Sequence, residues 1–189
     1  MNSTLLKLQQ RFRTYKINLV YVMLAAATIG CNGCHETQET QVIDYNKIQK
    51  DLIEDNKKKH NKETKEIKKF IDKNKWPMQE TKTGLHYWIY ENGSGKHAKF
   101  DDVVTISFKV SLLDGTLCYE ASDSDPRQFK IGMDNVESGL HEVLQLMKEG
   151  DRCKAILPSH LAFGLTGDSD KIPSSASVVY DIHLLKTQE

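Results

Sequence analysis

The sequence carries no net charge. Its 26 Lys+Arg balance 26 Asp+Glu over 189 residues, which excludes bulk electrostatic attraction to nucleic acid as its business. It also lacks an apolar run comfortable as a membrane-spanning helix, which takes about 20 consecutive apolar residues. INLVYVMLAAATIG, residues 17–30, falls short of that. Cysteine is scarce, 4 in all; Cys118 and Cys153 are isolated, so their spacing implies no disulfide. No βαβ pattern surrounds the C-x-x-C at residues 31–34, which removes a thioredoxin-like redox role. What is present, 39% hydrophobic and 28% charged residues, suffices for one ordinary globular domain with additional segments.

Those segments differ in kind. Lys7, Arg11, Arg13 and Lys16 form a basic region, the apolar run 17–30 ends in small residues, and Cys31 comes directly after it. This is the layout of a signal peptide. A cysteine directly after small residues resembles the bacterial lipobox, in which the peptide is removed and Cys31 becomes the lipidated first residue. Thr28-Ile29-Gly30-Cys31 departs from that pattern, which prefers Leu three before the Cys; a non-cleaved anchor or ordinary cleavage nearby is the alternative. Cys31-Asn32-Gly33-Cys34-His35 also has the C-x-x-C-H spacing of covalent haem attachment, with His35 as axial ligand. The motif abuts the apolar run, and a charged polar stretch stands after it where a haem would need a pocket. No cofactor and no metal are therefore expected. The expected division is a lipoprotein signal peptide at 1–30, a flexible linker at 31–43, a lysine-rich helical stalk at 44–75 and a folded domain at 76–189.

Residues 44–75 contain neither Pro nor Gly, and Glu54/Lys58 and Asp55/Lys59 have helix-supporting i,i+4 spacing. Apolar residues are sparse until Ile67, Phe70 and Ile71, which are expected to dock on the folded domain. From Trp76 the pattern turns to strands. In VVTISFKVSLL, residues 103–113, Val104, Ile106, Phe108, Val110 and Leu112 alternate with Thr105, Ser107, Lys109 and Ser111, the signature of a half-buried antiparallel strand. Asn92-Gly93 and Asp114-Gly115 mark turns. Val136, Leu140, Val143, Leu144 and Met147 make one helical stripe, with Ser138 as expected N-cap and Lys148 with Gly150 as its end. The economical fold is α+β: a curled antiparallel sheet wrapped around one short amphipathic helix, preceded by an N-terminal charged helix. The stretch LPSHLAFGLTGDSDKIP, residues 157–173, is a puzzle, because a plain connector should be shorter and more polar.

DGT between strands, then KIG, then VESGLHEVLQLMKEGDRCKAILPSHLAFG, then KIP and SVVYDIHLL resemble the FKBP type of peptidyl-prolyl cis-trans isomerase over about residues 84–186. With the lipobox and the lysine-rich helix ending in a Trp, the chain is most similar to the gliding-motility-associated FKBP-type lipoproteins of Bacteroidota. The resemblance implies that the long loop is a flap over a shallow aromatic pocket for a proline ring. Its implied pocket is Phe108, Tyr119, Glu120, Val136, Glu137, Leu140, Phe163, Ile172 and Tyr180. The backbone N–H of Glu137 would bind a substrate carbonyl, and the Tyr119/Glu120 match needs one inserted residue.

The departures bear on activity. Phe108 and Phe163 lack hydroxyls the family uses, Glu137 replaces an apolar side chain, and Arg127 stands where a pocket phenylalanine is common. Loss of one orienting hydrogen bond costs about 1–3 kcal/mol when its partner stays buried and unpaired. The resemblance thus implies a folding catalyst for X-Pro-containing exported polypeptides, of weakened activity, lipid-anchored in the envelope and facing the periplasm. The alternative is a non-catalytic proline-segment-binding module of a secretion or motility complex.

Overall fold

The computed structural model describes residues 44–189. The segment expected to be a signal peptide, Cys31 with its C-x-x-C-H run, and the expected linker to residue 43 lie outside the described residues.

Helix α1 spans Tyr45–Asn74. With no Gly or Pro to break it, it is braced on its solvent side by pairs such as Lys58 Nζ to Glu54 at 3.0 Å. Lys75 at φ 54° ends it in the left-handed conformation, and Pro77 prevents its resumption. Its first half exposes Tyr45, Ile48, Leu52 and Ile53, whereas Ile67 near its end is buried.

The strands are β1 (Gln79–Glu80), β2 (His86–Glu91), β3 (Val103–Leu112), β4 (Leu117–Ala121), β5 (Arg127–Lys130), β6 (Arg152–Leu157) and β7 (Val178–Gln188). They form one antiparallel sheet in the order β1-β2-β6-β7-β3-β4, with β5 also on β3. The long pairing of β3 with β7, from Val103↔Gln188 to Leu112↔Val178, is its spine. On its other edge β3 pairs first with β5 and then with β4. Strand alternation sends Val104, Ile106 and Val110 to one face. Ser107, on the opposite face, is nevertheless buried, because it donates a hydrogen bond to the Asp123 carboxylate.

Helix α2 spans only Ser138–Leu144 and presses Leu140, Val143 and Leu144 onto that face, against Val110, Tyr180, Ile182 and Leu184. The expected boundaries differ from this. Glu137, not Ser138, is the cap residue, and the Ser138 hydroxyl donates instead to the carbonyl of Leu161 at 3.5 Å. The helix stops short of Lys148, because Leu146 and Met147 donate to the carbonyls of Val143 and Leu144 in tighter three-residue turns. Met147 still reaches the core from that turn.

The sheet's other face has its own cover. Ile156 and Val179, on β6 and β7, pack against Ile67 of α1, with Phe70, Ile71, Trp76, Met78 and Leu113 around them. Phe70 meets Trp76 edge to face at 5.3 Å. Lys154 Nζ sits 5.1 Å from the Trp76 ring and pairs with Asp181 at 2.6 Å. Burying one such aliphatic side chain contributes about 1.5–3 kcal/mol. The end of α1 is thus part of the folded body, and β6 is covered on both sides. Cys118 and Cys153 are both free and buried.

Candidate active site

The pocket is built where the middle of β3, the start of α2 and β7 converge. Val110 pairs with Tyr180 across the sheet, and Phe108 lies two residues back on the same face. The Phe108 and Tyr180 rings stand 5.9 Å apart at 50°. Leu140, buried from the first turn of α2, supplies the floor between them. Val136 and Glu137 come from the approach to α2, Tyr119 and Glu120 from β4, and Arg127, Gln128 and Phe129 from β5. Together with Val110 these residues enclose about 420 Å3 open to solvent.

The interior is hydrocarbon and aromatic, and the charges sit at the rim. Burial, aided by the facing Glu137 carboxylate, pushes the Tyr180 phenol well above its ordinary 10.0, so it stays protonated. Tyr119 directs its hydroxyl out of the pocket to the Asp168 carboxylate. That bond raises the Tyr119 phenol to about 12 and holds the Asp168 carboxyl down at about 2. Asp168 also accepts the backbone N–H of Ile172 at 2.8 Å and of Asp170 at 2.9 Å. Lys171 Nζ donates to the Cys118 carbonyl at 2.9 Å and lies 4.9 Å from the Tyr119 ring. The tip of the loop between β6 and β7 is thereby tied to β4. Glu120 is exposed, its carboxylate 3.9 Å from Lys109.

Of the residues implied by sequence, the structure brings Phe108, Tyr119, Glu120, Val136, Glu137, Leu140 and Tyr180 around one cavity. Phe163 and Ile172 do not line it: Ile172 is buried in the main core, and Phe163 packs against that core. Asp168 draws the Ile172 amide inward, and Gly167, at φ +73°, lets the chain pass so close to the Ile172 carbonyl that a Cβ would stand 2.2 Å from it. This accounts for part of the apolar content of the long loop, since Leu161 and Ile172 are core residues, whereas Leu165 is exposed. Phe129 and Asp168 were missed. For Phe129 the signal was present, because strand alternation in RQFK puts it on the same side as Arg127. For Asp168 none was, since its partner Tyr119 lies on a distant strand.

An apolar pocket open to solvent, with charged side chains at its rim, suits an apolar ring flanked by peptide groups. The architecture, an antiparallel sheet curled over one short helix with the pocket at the helix start, is that of an FKBP-type domain. It overlays the crystal structure of FkpA from Escherichia coli with TM-score 0.58 at 24% identity, covering 96% of this chain and 71% of that one. Residues 94–185 match the family model described as FKBP-type peptidyl-prolyl cis-trans isomerase. The chain is 35% identical over 109 residues to the probable FKBP-type peptidyl-prolyl cis-trans isomerase FkpA of Neisseria meningitidis, covering 58% of this chain and 40% of that protein. It is 32% identical over 143 residues to FkpA of Buchnera aphidicola, covering 76% of this chain and 50% of that protein. Residues 94–185 are thus a domain of the FKBP-type peptidyl-prolyl cis-trans isomerase family. The chain spans half or less of the length of these two relatives.

Proposed function

We propose that this protein catalyses cis-trans isomerisation of X-Pro bonds in exported polypeptides, held in the cell envelope by a lipid on Cys31. The observation that carries this reading is the apolar cavity formed by Phe108, Leu140, Phe129 and Tyr180 at the start of α2. The barrier to rotation, ~18–20 kcal/mol, comes from amide resonance that holds the peptide planar. A twisted amide has lost that resonance and much of its polarity. A pocket of rings and hydrocarbon therefore favours the twisted state over the hydrated planar one, with no nucleophile required. The N–H of Glu137, ahead of the first turn of α2, has no partner within the helix and is the donor for a substrate carbonyl. Phe163 and Ile172 contribute through the loop between β6 and β7, whose tip reaches the pocket at Tyr119.

The envelope placement rests on the basic and apolar segments ahead of Cys31. Helix α1, rich in lysine, would then lift the domain from the membrane, and membership of the gliding-motility-associated branch is the finer reading of the same features.

The test uses the full chain and a short X-Pro peptide whose cis and trans forms are resolved by NMR exchange. Wild type should accelerate exchange in catalytic amount, and Phe108→Ala should lose at least about tenfold, since an aromatic wall of the pocket is gone. Unchanged exchange together with peptide-induced shifts at Val136–Leu140 would sink the isomerase reading and leave a binding module.

A further inference from the structure

The loop that closes the fold, residues 158–177, is held at both ends by one side chain from outside the pocket. Glu63 of α1 accepts the backbone N–H of Ser159 at 2.6 Å and the Ser159 hydroxyl at 3.2 Å. At the loop's other end the Ser177 hydroxyl donates to the same carboxylate at 2.7 Å. Ser159 and Ser177 are both buried. On either side of this bridge the seam is open: cavities of about 460 Å3 and 290 Å3 are both lined by His60, Glu63 and His160. At this level α1 and the loop are therefore joined by hydrogen bonds to a carboxylate, the strong kind, with the His60 and His160 rings meeting edge to face at 6.3 Å beside them.

Two connections lead from the loop to the pocket. At the root, Ser159–Leu161 form a single tight turn, and the Leu161 carbonyl accepts the Ser138 hydroxyl in the first turn of α2. That turn also lies against Gly139, where an added Cβ would come within 2.6 Å of Leu157 and 3.0 Å of the Leu161 carbonyl. Glu137, which lines the pocket, immediately precedes Ser138. At the tip, Asp168 holds the hydroxyl of Tyr119, another lining residue. A second branch runs from His160, which meets the Thr83 carbonyl at 3.0 Å, to the Thr83 hydroxyl on the Glu142 carboxylate of α2 at 2.8 Å.

We infer that Glu63 is a positioning residue for the isomerase pocket: by joining the two ends of loop 158–177 it fixes the start of α2, and with it the Glu137 N–H and the Leu140 floor. The inference rests on the isomerase reading of the pocket. It makes α1 a part of the site's scaffold, so that whatever moves α1 changes the pocket.

The test compares full-length wild type with Glu63→Ala, Glu63→Gln and the exposed-face control Glu66→Ala, by X-Pro exchange kinetics and by amide NMR. Glu63→Ala should lower kcat about threefold to tenfold with KM nearly unchanged, and move the amide resonances of Val136–Leu140, while Glu66→Ala does neither. Glu63→Gln, which keeps an acceptor oxygen, should recover most of the loss. Ser177→Ala removes one donor without touching α1 and should reproduce part of the effect, which separates positioning from loss of the helix. Wild-type kinetics in Glu63→Ala, with the Val136–Leu140 resonances in place, would overturn the inference. An inactive wild type would fail the isomerase reading, and the Val136–Leu140 shifts would still decide the role of Glu63.

Discussion

Tyr119 and Asp168 show how one hydrogen bond between a strand and a loop tip sets two titrations in opposite directions. The depressed Asp168 value means that its share of stability is complete above the ordinary 3.8 and is lost as pH falls through about 2. The raised Tyr119 value means that its share is complete below the ordinary 10.0 and is lost as pH rises through about 12. Tyr119→Phe should therefore move the Asp168 midpoint back up toward the ordinary carboxyl range. Side-chain carboxyl carbon shifts tracked from about pH 1 to about pH 6 would report it, and an unmoved midpoint would mean the bond is absent in solution. The buried thiols make a second case at this scale. Burial pushes Cys153 up to about 12 and raises Cys118 as well, and the thiolate is the reactive form. Peptide mapping after brief treatment with a thiol reagent should find both unmodified in the native protein and modified once it is unfolded.

Among the elements, α1 and α2 make opposite demands on small and large residues. Gly139 lies inside α2, where Gly→Ala ordinarily stabilises by about 1 kcal/mol. Here the new methyl would stand 2.6 Å from Leu157 Cγ and 2.8 Å from its Cδ2, both held in the core. Overpacking of this kind costs about 1–3 kcal/mol, so the clash wins and Gly139→Ala should be destabilising on balance. A denaturation midpoint at or above wild type would show that Leu157 can step aside. Ile67 is 2% exposed and is the one residue of α1 fully committed to the sheet. Ile67→Ala should cost about 2–5 kcal/mol by urea unfolding, with a cavity between α1 and Val179 as the cause. These elements were readable to different degrees. The alternation in β3, the charged helix and its late apolar cluster stood in the residues themselves. The end of α2 did not, because Met147 satisfies the helical period while sitting in a turn that leaves the helix.

For the molecule as a whole, the chemistry assigned to the pocket has no proton transfer in it. Asp168 and the two phenols, Tyr119 and Tyr180, keep their protonation states from the ordinary carboxyl value of 3.8 to the ordinary phenol value of 10.0. The profile of kcat/KM for X-Pro exchange should accordingly be flat between about pH 5 and pH 9, and a bell centred near neutrality would overturn a mechanism without general acid–base chemistry. Local sequence was enough to give the α+β class, the alternation that puts Phe108, Val110 and Tyr180 on one face, and the helical stripe that supplies Leu140. These arise from periods of two and of 3.6 residues, which any short window displays. Three features came from the assembled fold alone: Ile172 enters the core, Tyr119 turns to Asp168, and Glu63 reaches both Ser159 and Ser177. Each of those contacts joins residues from distant segments, and no local period records which loop a folded sheet will bring beside which helix.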